Sequence, residues 1–329
     1  MRPQLMRWAQ RLASSAPTTG IVRLAEALGR SRSDLLRVVT YHRIAEPEDD
    51  PELDPMLRSA SPRRLERQIA MIRRHYRPIA PEDLVARLRG GDALPPRAVL
   101  VSFDDAYRDF GERALPVLRR HDVRPALFVP TAFPADPAAE YWWDRLYRAL
   151  CRAGERIETP LGELEVGTAR ERWRAQRRLT DTVKSRPHAE AMRLVDAICG
   201  EREGEPGPIL DWDSLRAIEA EVGSILAPHS RRHPVLTRIG TAELAEEVRG
   251  SWHDLAREAA TPVPLFAYPA GGVGDREAAA VRDAGLAGAF TVERGRDDLR
   301  RSDPFRLHRI NVGPDTTTAL LRAQLALAR

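Results

Sequence analysis

Cysteine is scarce. Cys151 and Cys199 are the only two in 329 residues, which excludes a disulfide framework and a thiolate zinc cluster. Lysine is scarcer still: Lys184 stands alone among 52 basic residues. No apolar run approaches the ~20 residues that span a bilayer. The opening stretch, MRPQLMRWAQRLASSAPTTG, has early charge but no apolar core and no convincing cleavage site. That argues against classical secretion and for a cytoplasmic protein. The 21 glycines and 26 prolines are too few and too scattered for a fibrous or low-complexity chain.

What is present suits a globular protein. Hydrophobic residues make up 43% and charged residues 30%, and the length can bury a core without staples. The net charge of +4 is local, because residues 1–40 hold seven arginines against Glu26 and Asp34. Base gathered on an N-terminal arm, not on a working domain, makes nucleic acid an unexpected partner. In that arm, residues 1–35, Leu5, Trp8 and Leu12 with Arg7 and Arg11 can form a short basic amphipathic helix. The first reading is a terminal packing helix; the alternative is a weak contact with a membrane surface, which would make the protein peripheral.

A short β-rich run followed by an amphipathic helix recurs through most of residues 36–329. LLRVVTYHRI (35–44) reads as a strand. SPRRLERQIAMIRRHY (61–76) reads as a helix with Ser61 as N-cap and Pro62 at its first position, and Leu65, Ile69 and Ile72 follow helical spacing. RPIA is a short strand, and PEDLVARLRGG a helix ending in glycines. AVLVSFDD (98–105) is a continuous apolar run closed by two carboxylates, the pattern of a buried parallel strand whose tip meets solvent. A helix near 109–121 and the strand PALFVP (125–130) follow. The alternation stops over about 140–208, which reads as a mostly helical insertion with LGELEV (161–166) as its one strand-like piece. It resumes with WDSLRAIEAE, GSILAPHS, TAELAEEVRGSWHDLAREA, PLFAYPAG, DREAAAVRDAG, AGAFTVE, FRLHRINV and a C-terminal helix. Repeated β–α units predict an α/β fold, a parallel barrel or doubly wound sheet, with its chemistry at the strand C-termini.

Three clusters follow apolar strands. SFDDAY supplies Asp104 and Asp105, whose side chains leave a strand on opposite sides and so serve different ends; taken alone, such a pair is usually a solvated turn. APHSRRHP supplies His229 and His233, whose i, i+4 spacing puts two imidazoles on one face of a helical turn. With a carboxylate, they make a three-ligand cation site with one position left for water. LFAYPAGG supplies Tyr268, Pro269, Ala270 and Gly271, a tight loop whose backbone N–H groups can face an oxyanion; alone it would pass for an ordinary turn.

The order of these clusters resembles the polysaccharide deacetylases, the NodB-homology group also called carbohydrate esterase family 4. The resemblance covers roughly residues 36–135 and 210–312. It implies a distorted (β/α) barrel and metal-dependent removal of N-acetyl groups from amino sugars of a polysaccharide, oligosaccharide or lipid-linked saccharide, with zinc the first choice of divalent metal. It implies Asp105, His229 and His233 as metal ligands, Asp104 as general base toward the attacking water, and the Ala270 N–H as oxyanion donor. Two histidines compete as general acid. A related branch opens with a Tyr-His-x-Ile strand, which YHRI matches and which favours His42. FRLHRINV offers His308, the residue many members use. His75, His121, His188 and His253 read as solvated or packing histidines. Tyr107, Tyr268, Trp142 and Trp143 are candidate substrate contacts. Tyr107 is equally placed for packing, and adjacent Trp142 and Trp143 cannot share a helix face, so one can pack while the other meets a sugar. Two positions depart from the family pattern: Ala267 stands where an arginine usually holds the base, and Ala106 where a glycine follows the aspartates. The rival readings are a metal hydrolase cleaving a non-sugar amide and a non-catalytic sugar-binding relative, the latter suggested by Ala267.

Overall fold

Two apolar runs set the centre of the fold. Leu35–Tyr41 (β1) and Ala98–Asp104 (β2) are buried at every position, as strands covered on both faces are. The computed structural model describes residues 33–46, 48–200 and 207–328, together with 20–22, 24 and 26. In it β1 and β2 pair in parallel from Arg37↔Val99 to Tyr41↔Phe103. Helices Pro62–His75 (α1) and Pro81–Leu88 (α2) connect them. α1 begins as its sequence predicts: Ser61 accepts from the Arg64 N–H, Pro62 opens the helix, and Leu65, Ile69 and Ile72 are fully buried.

Helix Leu115–Arg120 (α3) leads from β2 to Ala126–Val129 (β3), which pairs in parallel with β2. After a long excursion the chain returns through helix Trp212–Val222 to Leu226–Pro228 (β4), parallel to β3. Leu265–Ala267 (β5) and Gly288–Phe290 (β6) form a separate parallel pair. Asp297–Asp298 (β7) lies antiparallel on the start of β1, and Ile310–Asn311 (β8) runs parallel beside its end. Leu307 bridges β6 on the way to β8. The α/β expectation thus holds as a mostly parallel central sheet in the order β7-β1-β2-β3-β4, with β8 on β1. The ladder does not run from β4 to β5. The Val263 N–H to Leu226 carbonyl bond (2.7 Å) crosses that seam, and Pro228 and Pro264 beside it have no N–H to contribute.

The excursion carries helices Trp142–Arg152 (α4), Ala169–Ser185 (α5) and His188–Cys199 (α6). A two-residue antiparallel pair, Arg156–Ile157 with Leu164–Glu165, lies between the first two. These elements bury an apolar cluster of their own, including Leu146, Leu150, Leu179, Val183, Leu194 and Val195. A polar knot joins the cluster to the sheet. The Trp143 indole donates to the Tyr107 oxygen (2.8 Å), and Tyr107 donates to Asp144 (2.6 Å). The Asp54 N–H also donates to Asp144 (3.0 Å), and the Gln176 amide donates to Asp54 and to the Trp143 carbonyl. Burial pushes the Asp144 carboxyl up to about 7. Asp144→Ala strands two buried donors and should cost ~1–3 kcal/mol. We expect a lower melting temperature and faster proteolysis within 142–199; an unchanged melting curve would show that the knot is not what holds these helices down.

Part of the N-terminal arm is described. Val22 packs on Ala323 and Ala326, and Glu26 accepts from Tyr76 and pairs with Arg322. Leu5, Trp8 and Leu12, with Arg7 and Arg11, lie outside the described residues. Among the described residues no helix is long and apolar enough to cross a membrane.

Candidate active site

The site gathers where parallel strands end. β2 stops at Asp104, and the chain turns through Asp105 and Ala106 with φ of +73° and +50°. This left-handed backbone costs about 1–2 kcal/mol per non-glycine residue, which explains why glycine is the easier choice where Ala106 stands. The turn lets both carboxylates, each 2% exposed, face one space. Asp105 is fixed by its N–H to the Phe128 carbonyl (3.0 Å) and by Tyr141, which donates to its own carbonyl (2.6 Å).

His229 and His233 meet Asp105 from the segment after β4. The Asp105 Oδ1 lies 3.7 Å from His229 Nε2 and 3.5 Å from His233 Nε2. The i, i+4 spacing works here through a loop, not the helical turn its sequence suggests. Ser230 and His233 adopt φ of +62° and +56°, and the His233 N–H donates to the Ser230 hydroxyl (3.0 Å). The Arg231 and Arg232 N–H groups donate to Glu247 (2.8 Å each) and fasten the loop to helix Thr241–Glu258. A hydrogen bond of 2.6 Å joins His229 Nδ1 to the Ala267 carbonyl. A carbonyl only accepts, so the proton sits on Nδ1 and the Nε2 lone pair is free to bind a cation.

The donor set fits a divalent cation. Asp105 Oδ1 is buried and has no hydrogen-bond partner, a costly state for a carboxylate unless a cation satisfies it. Burial, then the Asp104 and Asp144 charges, push the Asp105 carboxyl well above the usual carboxylate range. Burial pushes the His229 imidazole down to about 4 and His233 well below its ordinary value. Neutral imidazoles beside one carboxylate are the ligands such an ion takes, and their ligating atoms all lie within 4.8 Å of one another.

Asp104 is held by a residue the sequence motifs do not point to. The Arg309 Nη1 donates to both Asp104 oxygens at 2.8 Å, and Arg309 Nε donates to the Thr291 carbonyl (2.8 Å). Burial alone would raise the Asp104 carboxyl. Arg309, His229 and His42 overrule it, and the net shift is down, so Asp104 stays ionised. With Ala267 in the third cluster, the arginine arrives instead from the segment between β7 and β8. Arg309 is 1% exposed. Its only trace in the sequence is a charged residue set against the apolar Ile310 of a strand.

The other expected residues divide. His42, just past β1, places Nε2 3.9 Å from Asp104 Oδ2 and 4.0 Å from Asp105 Oδ2, with its side chain 26% exposed. His308 instead bonds Asp297 (2.9 Å), whose strand pairs with the start of β1, the end opposite His42. Ala270 adopts φ of +54° in the turn after β5 and lines a recess with His233. Trp142 is half-buried and lines the same recess. Three of the expected substrate contacts are buried in the structure. Tyr268 is 0% exposed, with its hydroxyl on the Phe305 carbonyl. Tyr107 and Trp143 belong to the polar knot, and the Trp143 ring packs edge-on against His233 at 4.9 Å between centroids. All three spend their polar atoms on the protein. Tyr141, which braces Asp105, was also outside the expected set.

No family model matches the chain. A 103-residue stretch, 31% of this chain, is 29% identical to a poly-beta-1,6-N-acetyl-D-glucosamine N-deacetylase of Escherichia coli K12. That stretch spans 15% of the relative's length. Among solved structures, IcaB from Ammonifex degensii matches at a TM-score of 0.59 and 18% identity, covering 90% of this chain and 99% of that one. The Streptococcus pyogenes deacetylase PplD in complex with acetate matches at 0.58 and 16%, covering 87% and 96%. The chain therefore has the fold of solved polysaccharide deacetylases.

Proposed function

We propose that the protein is a metal-dependent N-deacetylase acting on an acetylated saccharide. The observation that carries this reading is the pairing of a buried, cation-ready triad with a second, ionised carboxylate and a third histidine within 4.0 Å. Asp105, His229 and His233 would hold the ion, with zinc the first choice for two imidazoles and one carboxylate. A cation held there acts as a Lewis acid on the amide carbonyl and acidifies water. Asp104, kept ionised by Arg309, takes the proton of the attacking water. The Ala270 N–H, in the turn after β5, would donate to the carbonyl oxygen as it gathers charge. His42 gives its proton to the nitrogen as the C–N bond breaks. Water and the acetamide are consumed; acetate and an amino sugar are released. Where Ala267 stands in place of the family arginine, the Arg309–Asp104 bonds, made from the segment before β8, support the catalytic reading.

The test is acetate release from a panel of N-acetylated saccharides by metal-loaded protein. Bound metal with no acetate from any of them would overturn the reading. His42→Ala should slow turnover about 100-fold or more, the scale of a lost general acid, whereas His308→Ala should not. Damage confined to the His308 variant would reverse the choice of acid.

A further inference from the structure

Most arginines here are paired with carboxylates or carbonyls, as Arg309, Arg43 and Arg231 illustrate. Three cations without such a partner line one recess. Lys184, Arg186 and Arg238 border it together with His188, Trp142, His233 and Ala270. Among the described residues none of the three cations has an ion pair or a side-chain hydrogen bond. No carboxylate lines the recess. The acids whose charge reaches Lys184 are Asp54, Asp105 and Asp181. The first accepts from Gln176, the second belongs to the cation triad, and the third pairs with Arg177. Glu243 and Glu247 face His188, and Glu247 is taken up by Arg232 and the loop N–H groups. Cations that border one recess without a lining carboxylate favour an anion there.

We propose that this recess receives an anionic substituent, a carboxylate or a phosphate, carried by the saccharide beside the acetamido group being cleaved. The preferred substrate is then an acidic acetylated saccharide. This rests on the deacetylase reading, because His233 and Ala270 also line the recess. The recess has a volume of about 20 Å³, room for one small group and not for a further sugar ring. Arg186 and Arg238 offer planar forks suited to carboxylate and phosphate, and Lys184 a compact charge. Protein crowded around the ammonium lowers Lys184, against the pull of the nearby aspartates, although the residue as a whole is exposed. A bound anion would hold it charged.

The test compares three probes on the whole chain: a hyaluronan tetrasaccharide for carboxylate, N-acetylglucosamine 1-phosphate for phosphate, and tetra-N-acetylchitotetraose as the neutral control. Calorimetry at low and high salt should show one acidic probe binding about tenfold or more tighter than the neutral one. That advantage should shrink with salt and vanish in the Lys184→Ala/Arg238→Ala variant. Both side chains are exposed, so the variant should fold. Which acidic probe wins separates carboxylate from phosphate. Because Lys184 is the only lysine, reductive methylation labels it and the α-amine alone. The winning probe should protect Lys184 more than the neutral probe does, with the α-amine as internal reference. Equal binding and equal protection by neutral and acidic probes would overturn the inference, even if acetate is released. Salt-sensitive, Lys184-dependent binding without acetate release from any saccharide would uphold the anion site and overturn the deacetylase reading.

Discussion

Asp104→Asn should lower turnover by about 10²–10⁴-fold, the range for a lost general base, and leave metal content unchanged. Asp105→Asn should lose the metal, and turnover with it. The neighbours differ because their surroundings differ. Asp104 spends both oxygens on Arg309 and is held ionised. Asp105 keeps Oδ1 without a partner and points it at two imidazoles. Asparagine keeps the volume at 104 but cannot take a proton. At 105 it removes the one negative ligand. His233→Ala should also empty the site, because one carboxylate and one imidazole hold a divalent cation weakly. Elemental analysis of each purified variant, beside acetate release, separates the roles. Retained metal in Asp105→Asn together with lost metal in Asp104→Asn would mean the two roles are exchanged along the strand.

The sequence made much of this site legible because strand tips in a parallel sheet concentrate chemistry and announce it by polarity. Asp104 and Asp105 close a seven-residue buried strand, and His229 and His233 follow a three-residue one. An apolar run broken by titratable residues is visible without a structure. The i, i+4 spacing was right about proximity and wrong about its cause, because positive φ at Ser230 and His233 leaves no mark in composition. Burial was the least legible property. Tyr107, Tyr268 and Trp143 carry polar tips that suit a sugar, but each tip finds an oxygen or hydroxyl in the protein, and only the fold shows which. The seam between β4 and β5 was hidden for a similar reason: prolines at 228 and 264 mark strand limits, not which strands fail to pair. Arg309 was missed because an arginine beside apolar residues near the C-terminus looks like any solvated edge residue, in a chain where 51 others compete for attention as basic side chains.

Arg309→Met should be the most damaging single change to stability near the site. Both partners are almost wholly buried, Arg309 at 1% and Asp104 at 2%. Removing one half of a buried ion pair costs about 3–5 kcal/mol, because the other charge is left without compensation. The pH dependence should change sign. In the natural protein Asp104 is shifted down, so its contribution to stability is present above the ordinary carboxylate value, about 3.9, and is lost as pH falls through the lower folded value. Without Arg309, burial dominates and the carboxyl shifts up. The variant should then gain stability on mild acidification, where Asp104 takes up a proton, and lose it as pH rises. Turnover should follow, with its acid limb moved to higher pH, since a protonated Asp104 accepts nothing. The double variant Arg309→Met/Asp104→Asn should recover much of the lost stability and none of the lost turnover. Melting curves across acid and neutral pH, on metal-free protein, give the readout. If Arg309→Met melted lower by the same amount at every pH, and the second substitution rescued nothing, Arg309 would be holding the Thr291 segment through its Nε bond, and the charge of Asp104 would be set by something else.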